Sequence, residues 1–111
     1  MAYSRAVVKG KWCFMSGVTG YDYATMQMPD AACDQASNCF KTIFAVLEDA
    51  GFSKDDIVRV QYIVTDATFV DEIAPAISDA LDSVRPAATM VVSGLIRPEM
   101  KVEVEVTAMK E

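Results

Sequence analysis

The stretch MKVEVEVTA at 100–108 sets Glu103 and Glu105 between valines at every second position. Successive side chains of a β-strand point to opposite faces, so Val102, Val104 and Val106 face a core while the two glutamates share the other side. A carboxylate so placed can orient a water or move a proton. The two lie one pleat repeat apart, roughly 6.6 Å along the strand, too far to share a proton as a dyad. Few other groups compete for that chemistry. The chain contains no histidine, so the commonest general base and the commonest metal ligand are both missing, and with them most catalytic triads and zinc sites. Cys13, Cys33 and Cys39 are odd in number and not in C-x-x-C spacing, which reads as free buried thiols rather than a disulfide or zinc site. No metal or cofactor is expected, and the seven methionines read as core and interface fillers.

The elements that must position these groups follow from periodicity. RAVVKGKWCFMSG holds two short apolar runs joined by Lys9-Gly10, which predicts a hairpin with strands over 5–8 and 11–16. A loop, VTGYDYATMQMP, follows. Asp30 can cap a helix in which Ala36, Phe40, Ile43, Phe44 and Leu47 recur at three- and four-residue spacing until Gly51. DDIVRVQYIVTD, rich in β-branched residues, predicts a strand over 57–65. A second helical face comprises Phe69, Ile73, Ile77, Ala80, Leu81 and Val84; proline is tolerated only in a first turn, so Pro75 places the helix start near 72–75. Strands over 88–94 and 101–108 close the chain.

At 111 residues, with 52% hydrophobic and 23% charged residues, the chain reads as one globular domain over 1–111. Its apolar runs are far shorter than the roughly 20 residues of a membrane span, and no basic segment followed by an apolar one opens it, so a cytoplasmic location without membrane association is expected. The net charge of −6 and scattered cations argue against a nucleic-acid partner. The order ββαβαββ implies an α+β sandwich: one mixed sheet with both helices on one face. Trp12 with Phe14 and Cys13 with Met15 take opposite faces of the second strand, and Val58, Val60, Tyr62 and Val64 oppose Ile57 and Ile63 on the third. Two helices cover one face only. An uncovered apolar sheet face exceeds what a soluble monomer exposes, which predicts a homo-oligomer.

Over nearly its whole length the sequence resembles the Rid family of reactive intermediate deaminases, also called YjgF or L-PSP endoribonucleases. The resemblance is carried by YSRAV at 3–7, SG at 16–17, Gln35, AG at 50–51, VQYIVTD at 60–66, RPA at 85–87 and VEVEVTA at 102–108. It implies a chorismate-mutase-like fold and a homotrimer whose sheets build a central barrel, with small-molecule clefts between subunits. It also implies hydrolysis of enamines and imines derived from amino acids.

On this resemblance Glu103 matches the glutamate that orients the attacking water, Tyr3 a tyrosine at the cleft mouth, and Ser16-Gly17 a segment whose backbone approaches the ligand. Each has an alternative reading: a solvated or interface carboxylate for Glu103, packing on the sheet edge for Tyr3, a turn requirement for Gly17. The family's substrate-binding arginine, which reads a carboxylate, aligns with Ala88, and a cysteine of some members with Met90. No methyl group replaces a bidentate guanidinium, whose charged hydrogen bonds contribute roughly 1.5–3 kcal/mol each. The standard 2-imino-acid site is therefore incomplete. Arg5, Arg85 and Arg97 are expected as surface charges, and Tyr21, Asp22 and Tyr23 lie in a long loop that can border a cleft or stay solvated. Two functions stay open: an enamine or imine hydrolase of a divergent branch, and a non-catalytic module that binds a small metabolite.

Overall fold

A computed structural model describes all residues 1–111. Strands β1 (Ala6–Lys9), β2 (Trp12–Met15) and β3 (Val18–Thr19) precede helix α1 (Ala32–Asp49). Strand β4 (Ile57–Val64), helix α2 (Phe69–Leu81), β5 (Ala87–Val92) and β6 (Val102–Met109) follow. The strands form one sheet in the order β1-β2-β6-β4-β5, with β3 continuing beside β6 beyond β2. Only β4 and β5 run parallel, because α2 makes the crossover between them. The expected α+β sandwich, a mixed sheet with two helices packed together on it, is the architecture observed.

The alternation in β6 decides where the core sits. Val102, Val104, Val106 and Ala108 are buried, and β6 lies between β4 and the β2–β3 pair, so this strand carries the centre of the sheet. Cys13, Met15, Val18, Val60, Tyr62 and Val64 join it from neighbouring strands, and Ala36, Phe40, Ile43 and Leu47 of α1 cover them. α1 ends in a Schellman arrangement: the Phe52 N–H donates to Leu47 O (2.8 Å) and the Gly51 N–H to Glu48 O (3.0 Å), with Gly51 at φ +85.

Several local expectations need correction. The hairpin turn is Gly10-Lys11, since Lys9 pairs with Trp12. β3 falls inside the stretch read as loop. Ala31, not Asp30, is the residue before α1; Asp30 lies at the surface 3.7 Å from the Lys101 ammonium. α2 begins at Phe69, six residues before Pro75, because Asp66 starts it: its carboxylate accepts from the Thr68 N–H and hydroxyl (both 2.8 Å). Ile73, Ala76, Ala80 and Leu81 bury one face of α2, which outweighs the backbone bond that Pro75 removes. An irregularity between Ile57 and Arg59 shifts the phase of β4, so Ile57 is buried and Val58 exposed, the reverse of the expected sides. Of the free cysteines, Cys13 and Cys39 are buried but Cys33 only partly so.

The face away from the helices is mixed rather than wholly apolar. Pairing across the sheet aligns Val7, Phe14, Thr107, Arg59 and Ala87 in one row, Glu105, Gln61 and Thr89 in the next, and Glu103, Ile63 and Val91 in a third. Trp12 and Phe14 stack there with ring centroids 6.0 Å apart and stay 42% and 48% exposed. No helix is long and apolar enough to cross a membrane.

Candidate functional site

Between β2 and β3 the chain bends at Ser16-Gly17, and the bend is pinned from the N-terminal segment. The Ser16 N–H and hydroxyl both donate to the Arg5 carbonyl (2.9 and 3.2 Å), while Arg5 Nη1 donates to the Gly17 carbonyl (2.8 Å) and Ser16 Oγ (3.3 Å). β3 then pairs Thr19 with Glu103 and Val18 with Val104. This brings the Glu103 carboxylate against Gly17 so closely that a Cβ on residue 17 would overlap it. Glycine is required here for close approach rather than for a turn.

Glu103, Gly17, Tyr3 and Arg5 line one cleft of about 190 Å³. Thr19, Tyr21, Tyr23 and Met26 also line it, as do Ile96 and Met100 of the β5–β6 connection. The guanidinium of Arg5 lies 5.2 Å from the centre of the Tyr23 ring, and the Tyr23 and Thr19 hydroxyls are 3.4 Å apart. The Tyr21 hydroxyl donates to the Glu99 carboxylate (2.7 Å), tying the loop after β3 to the β5–β6 connection. Gln35 fastens the same connection from beneath. Fully buried at the start of α1, it donates through Nε2 to Pro29 O (2.9 Å) and Glu99 O (3.0 Å) and accepts at Oε1 from the Lys101 N–H (2.9 Å).

Glu103 is half-buried, and burial, then the neighbouring Glu105, raise its carboxyl above the ordinary range, with Arg5 pulling the other way. A carboxylate so placed holds a proton more readily than a surface one, as a group that must take and return protons should. Burial, with Glu103 adding to it, pushes the Cys39 thiol up to about 12, so this cysteine stays protonated, donating to Val18 O (3.2 Å). No group of three or more Cys, Asp or Glu side chains converges as metal ligands.

The structure therefore brings together Tyr3, Gly17 and Glu103, with Ser16 behind them, and adds Arg5, expected as a surface charge. Residue types alone gave no signal for it, since its place depends on the bend at Ser16-Gly17. Tyr21 and Tyr23 border the cleft; Asp22 does not, its carboxylate instead accepting from the Ala24 N–H (3.0 Å). Ala88 and Met90 lie elsewhere in the chain, on the edge strand β5, in a separate groove floored by Val60 and Tyr62 and walled by Ile77 and Leu81 of α2. Arg85 borders that groove and pairs with Asp82 in solvent (3.0 Å). Arg97 is exposed and outside the cleft.

Comparison with known proteins matches this geometry to a family. The family model described as Endoribonuclease L-PSP matches residues 1–110. The chain belongs to this family, which is that of the Rid and YjgF proteins. A RutC family protein of Aquifex aeolicus is 31% identical over 97% of this chain and 88% of its own. The crystal structure of RidA from an Antarctic Psychrobacter superposes with a TM-score of 0.92 at 28% identity, over 99% of this chain and 89% of that one. A Mycobacterium tuberculosis member of the YjgF/YER057c/UK114 family superposes with a TM-score of 0.88 at 31% identity, over 97% and 86%.

Proposed function

We propose that this Rid-family protein is a homotrimer, of a branch lacking the substrate-binding arginine, that hydrolyses a small enamine or imine in clefts between subunits. The observation that carries the reading is Glu103, a half-buried carboxylate held against Gly17 and ringed by tyrosines. In this reaction Glu103 orients a water and takes its proton as the oxygen adds to the C=N carbon. The proton returns to nitrogen as the C–N bond breaks, leaving a carbonyl compound and ammonia, so one water is consumed per ammonia released. Tyr3 closes the mouth, and the backbone at Ser16-Gly17 lies along the bound molecule.

Assembly is supported by two features. The helix-free face exposes Trp12, Phe14 and Val7, and the edge strand AATMVV is largely exposed although five of its six residues are apolar. Assembly also accounts for the separation of Ala88 and Met90 from Glu103: a neighbour's β5 edge seated by the cleft restores the constellation that the family resemblance implies. A cytoplasmic setting without membrane or nucleic-acid partners fits the acidic composition, and neither that charge nor the histidine-free sequence favours an RNA substrate.

Incubating the protein with panels of enamines and imines while following ammonia tests this reading, with Glu103→Ala as control. Turnover above the control supports it. The alanine at position 88 favours a second reading, a trimeric module that binds a metabolite without turnover. That reading is upheld if ammonia never exceeds the control while small carbonyl compounds still raise the melting temperature.

A further inference from the structure

We propose that Arg5 is the specificity-determining cation of the cleft and that the ligand it selects is a small molecule with one carboxylate. The inference rests on the cleft assigned above and concerns which ligand the cleft admits. Of the ten cationic side chains of one chain, only Arg5 lines that chain's part of the cleft. It is half-buried yet has no carboxylate within ion-pairing distance: the ion pairs in the chain are Arg85 with Asp82 and Lys101 with Asp30. Arginine removed from water ordinarily finds an anionic partner.

The orientation of Arg5 is already fixed. Nη1 is anchored on Gly17 O and Ser16 Oγ, and the guanidinium lies by the ring of Tyr23, so the fork stands at one angle before any ligand arrives. Nη2 and Nε donate to no protein acceptor, which leaves donors on two nitrogens, the number a carboxylate accepts side by side. Glu103 lines the same cleft without pairing with Arg5. Both groups lie against Gly17, so the cleft offers a fork for an anion beside a carboxylate for a polarised or protonated C=N group, the charge pattern of a compact imine or enamine that also bears a carboxylate. One chain supplies about 190 Å³ of this cleft. The ligand's carboxylate is read from the N-terminal segment instead of from position 88, where alanine offers no donor.

The test is binding without turnover, by calorimetric titration of the full-length protein with pyruvate and with its neutral isostere pyruvamide. The wild type should bind pyruvate at least tenfold more tightly, as a charged hydrogen bond requires. Arg5→Gln should abolish that preference, and Arg5→Lys, which keeps charge but not the fork, should retain part of it; since Arg5 also pins the Ser16-Gly17 bend, the readout is the ratio of pyruvate to pyruvamide affinity within each variant. Arg97→Gln and Arg85→Gln should keep the full preference. The proposal is overturned if the wild type fails to prefer pyruvate at millimolar concentrations, if Arg5→Gln keeps the preference, or if Arg97→Gln or Arg85→Gln removes it. Should Arg5→Gln not fold, Arg5→Lys decides alone: an undiminished preference overturns the proposal and a reduced one supports it. Because ammonia is not the readout, an inactive protein that prefers pyruvate through Arg5 sinks the hydrolase reading and leaves this one standing.

Discussion

Replacing Gln35 by leucine removes three hydrogen bonds at close to constant volume. Gln35 is fully buried, and its amide joins the nearby Pro29 O to two backbone groups distant in sequence, Glu99 O and the Lys101 N–H. Three net bonds contribute about 1.5–4.5 kcal/mol, and orphaned groups that stay buried would raise the loss toward about 3–9 kcal/mol. Both carbonyls belong to loops that can reach water, so the lower range applies and about 3 kcal/mol is expected. For a domain of this size that is a fall in Tm of roughly 12 °C, taking about 4 °C per kcal/mol. Urea unfolding at one fixed protein concentration measures it, since an oligomer's apparent stability varies with concentration. Gln35→Glu supplies an internal control. It keeps the acceptor for Lys101 but turns the donor toward two carbonyls into a second oxygen, tolerable only when protonated. The buried acid's folded-state pKa is then raised above its unfolded value, so its stability is present at low pH and lost as pH rises through the folded pKa. A loss below 1 kcal/mol for Gln35→Leu, or a Gln35→Glu protein that gains stability with rising pH, would refute the reasoning.

Gly17→Ala should displace the Glu103 carboxylate; a displacement of that kind costs roughly a hundredfold in turnover, read as kcat/KM, with a much smaller change in Tm. In the proposed hydrolysis the working form of Glu103 is its carboxylate, and burial first, then Glu105, raise its pKa against Arg5, with Tyr3, Tyr21, Tyr23 and the Cys39 thiol as the other titratable groups around it. The rate should therefore fall as pH drops through a value above the ordinary carboxylate range, and Arg5→Gln should move that limb to higher pH; a limb unmoved by Arg5→Gln counts against the coupling. Phe14→Glu places a charge on the helix-free face beside Trp12, where burying it would cost several kcal/mol, so if the proposed trimer forms through this face sedimentation should show the wild type as a trimer and the variant as a folded monomer. A Phe14→Glu protein that remains trimeric would show that this face is not the interface.

Much of the fold was legible because its two periodicities are strong. The valine alternation in β6 and the spacing of Ala36, Phe40, Ile43 and Leu47 in α1 report burial on one side directly. Errors arose where a local signal competed with a tertiary one. Pro75 masked the start of α2 because the break expected from proline was weighed without the buried face that outweighs it. The β4 irregularity inverted Ile57 and Val58, since a phase shift within a strand leaves no mark in composition. β3 is two residues long, too short for any period. At the site, Glu103, Tyr3 and Gly17 were legible through the family pattern. Arg5 was not, because its place in the cleft depends on a bend eleven residues away that residue types alone do not reveal. Ala88 and Met90 were read into the same cleft although one chain holds them in a separate groove.

Ammonia release from a carboxylate-bearing imine or enamine, compared between the wild type and Glu103→Gln at matched trimer content, tests the central claim most directly. Glu103→Gln keeps the shape of the side chain and removes the base, so the rate should fall about 10²–10⁴-fold while the ligand still binds. An unchanged rate in Glu103→Gln, or no ammonia from the wild type, would contradict it.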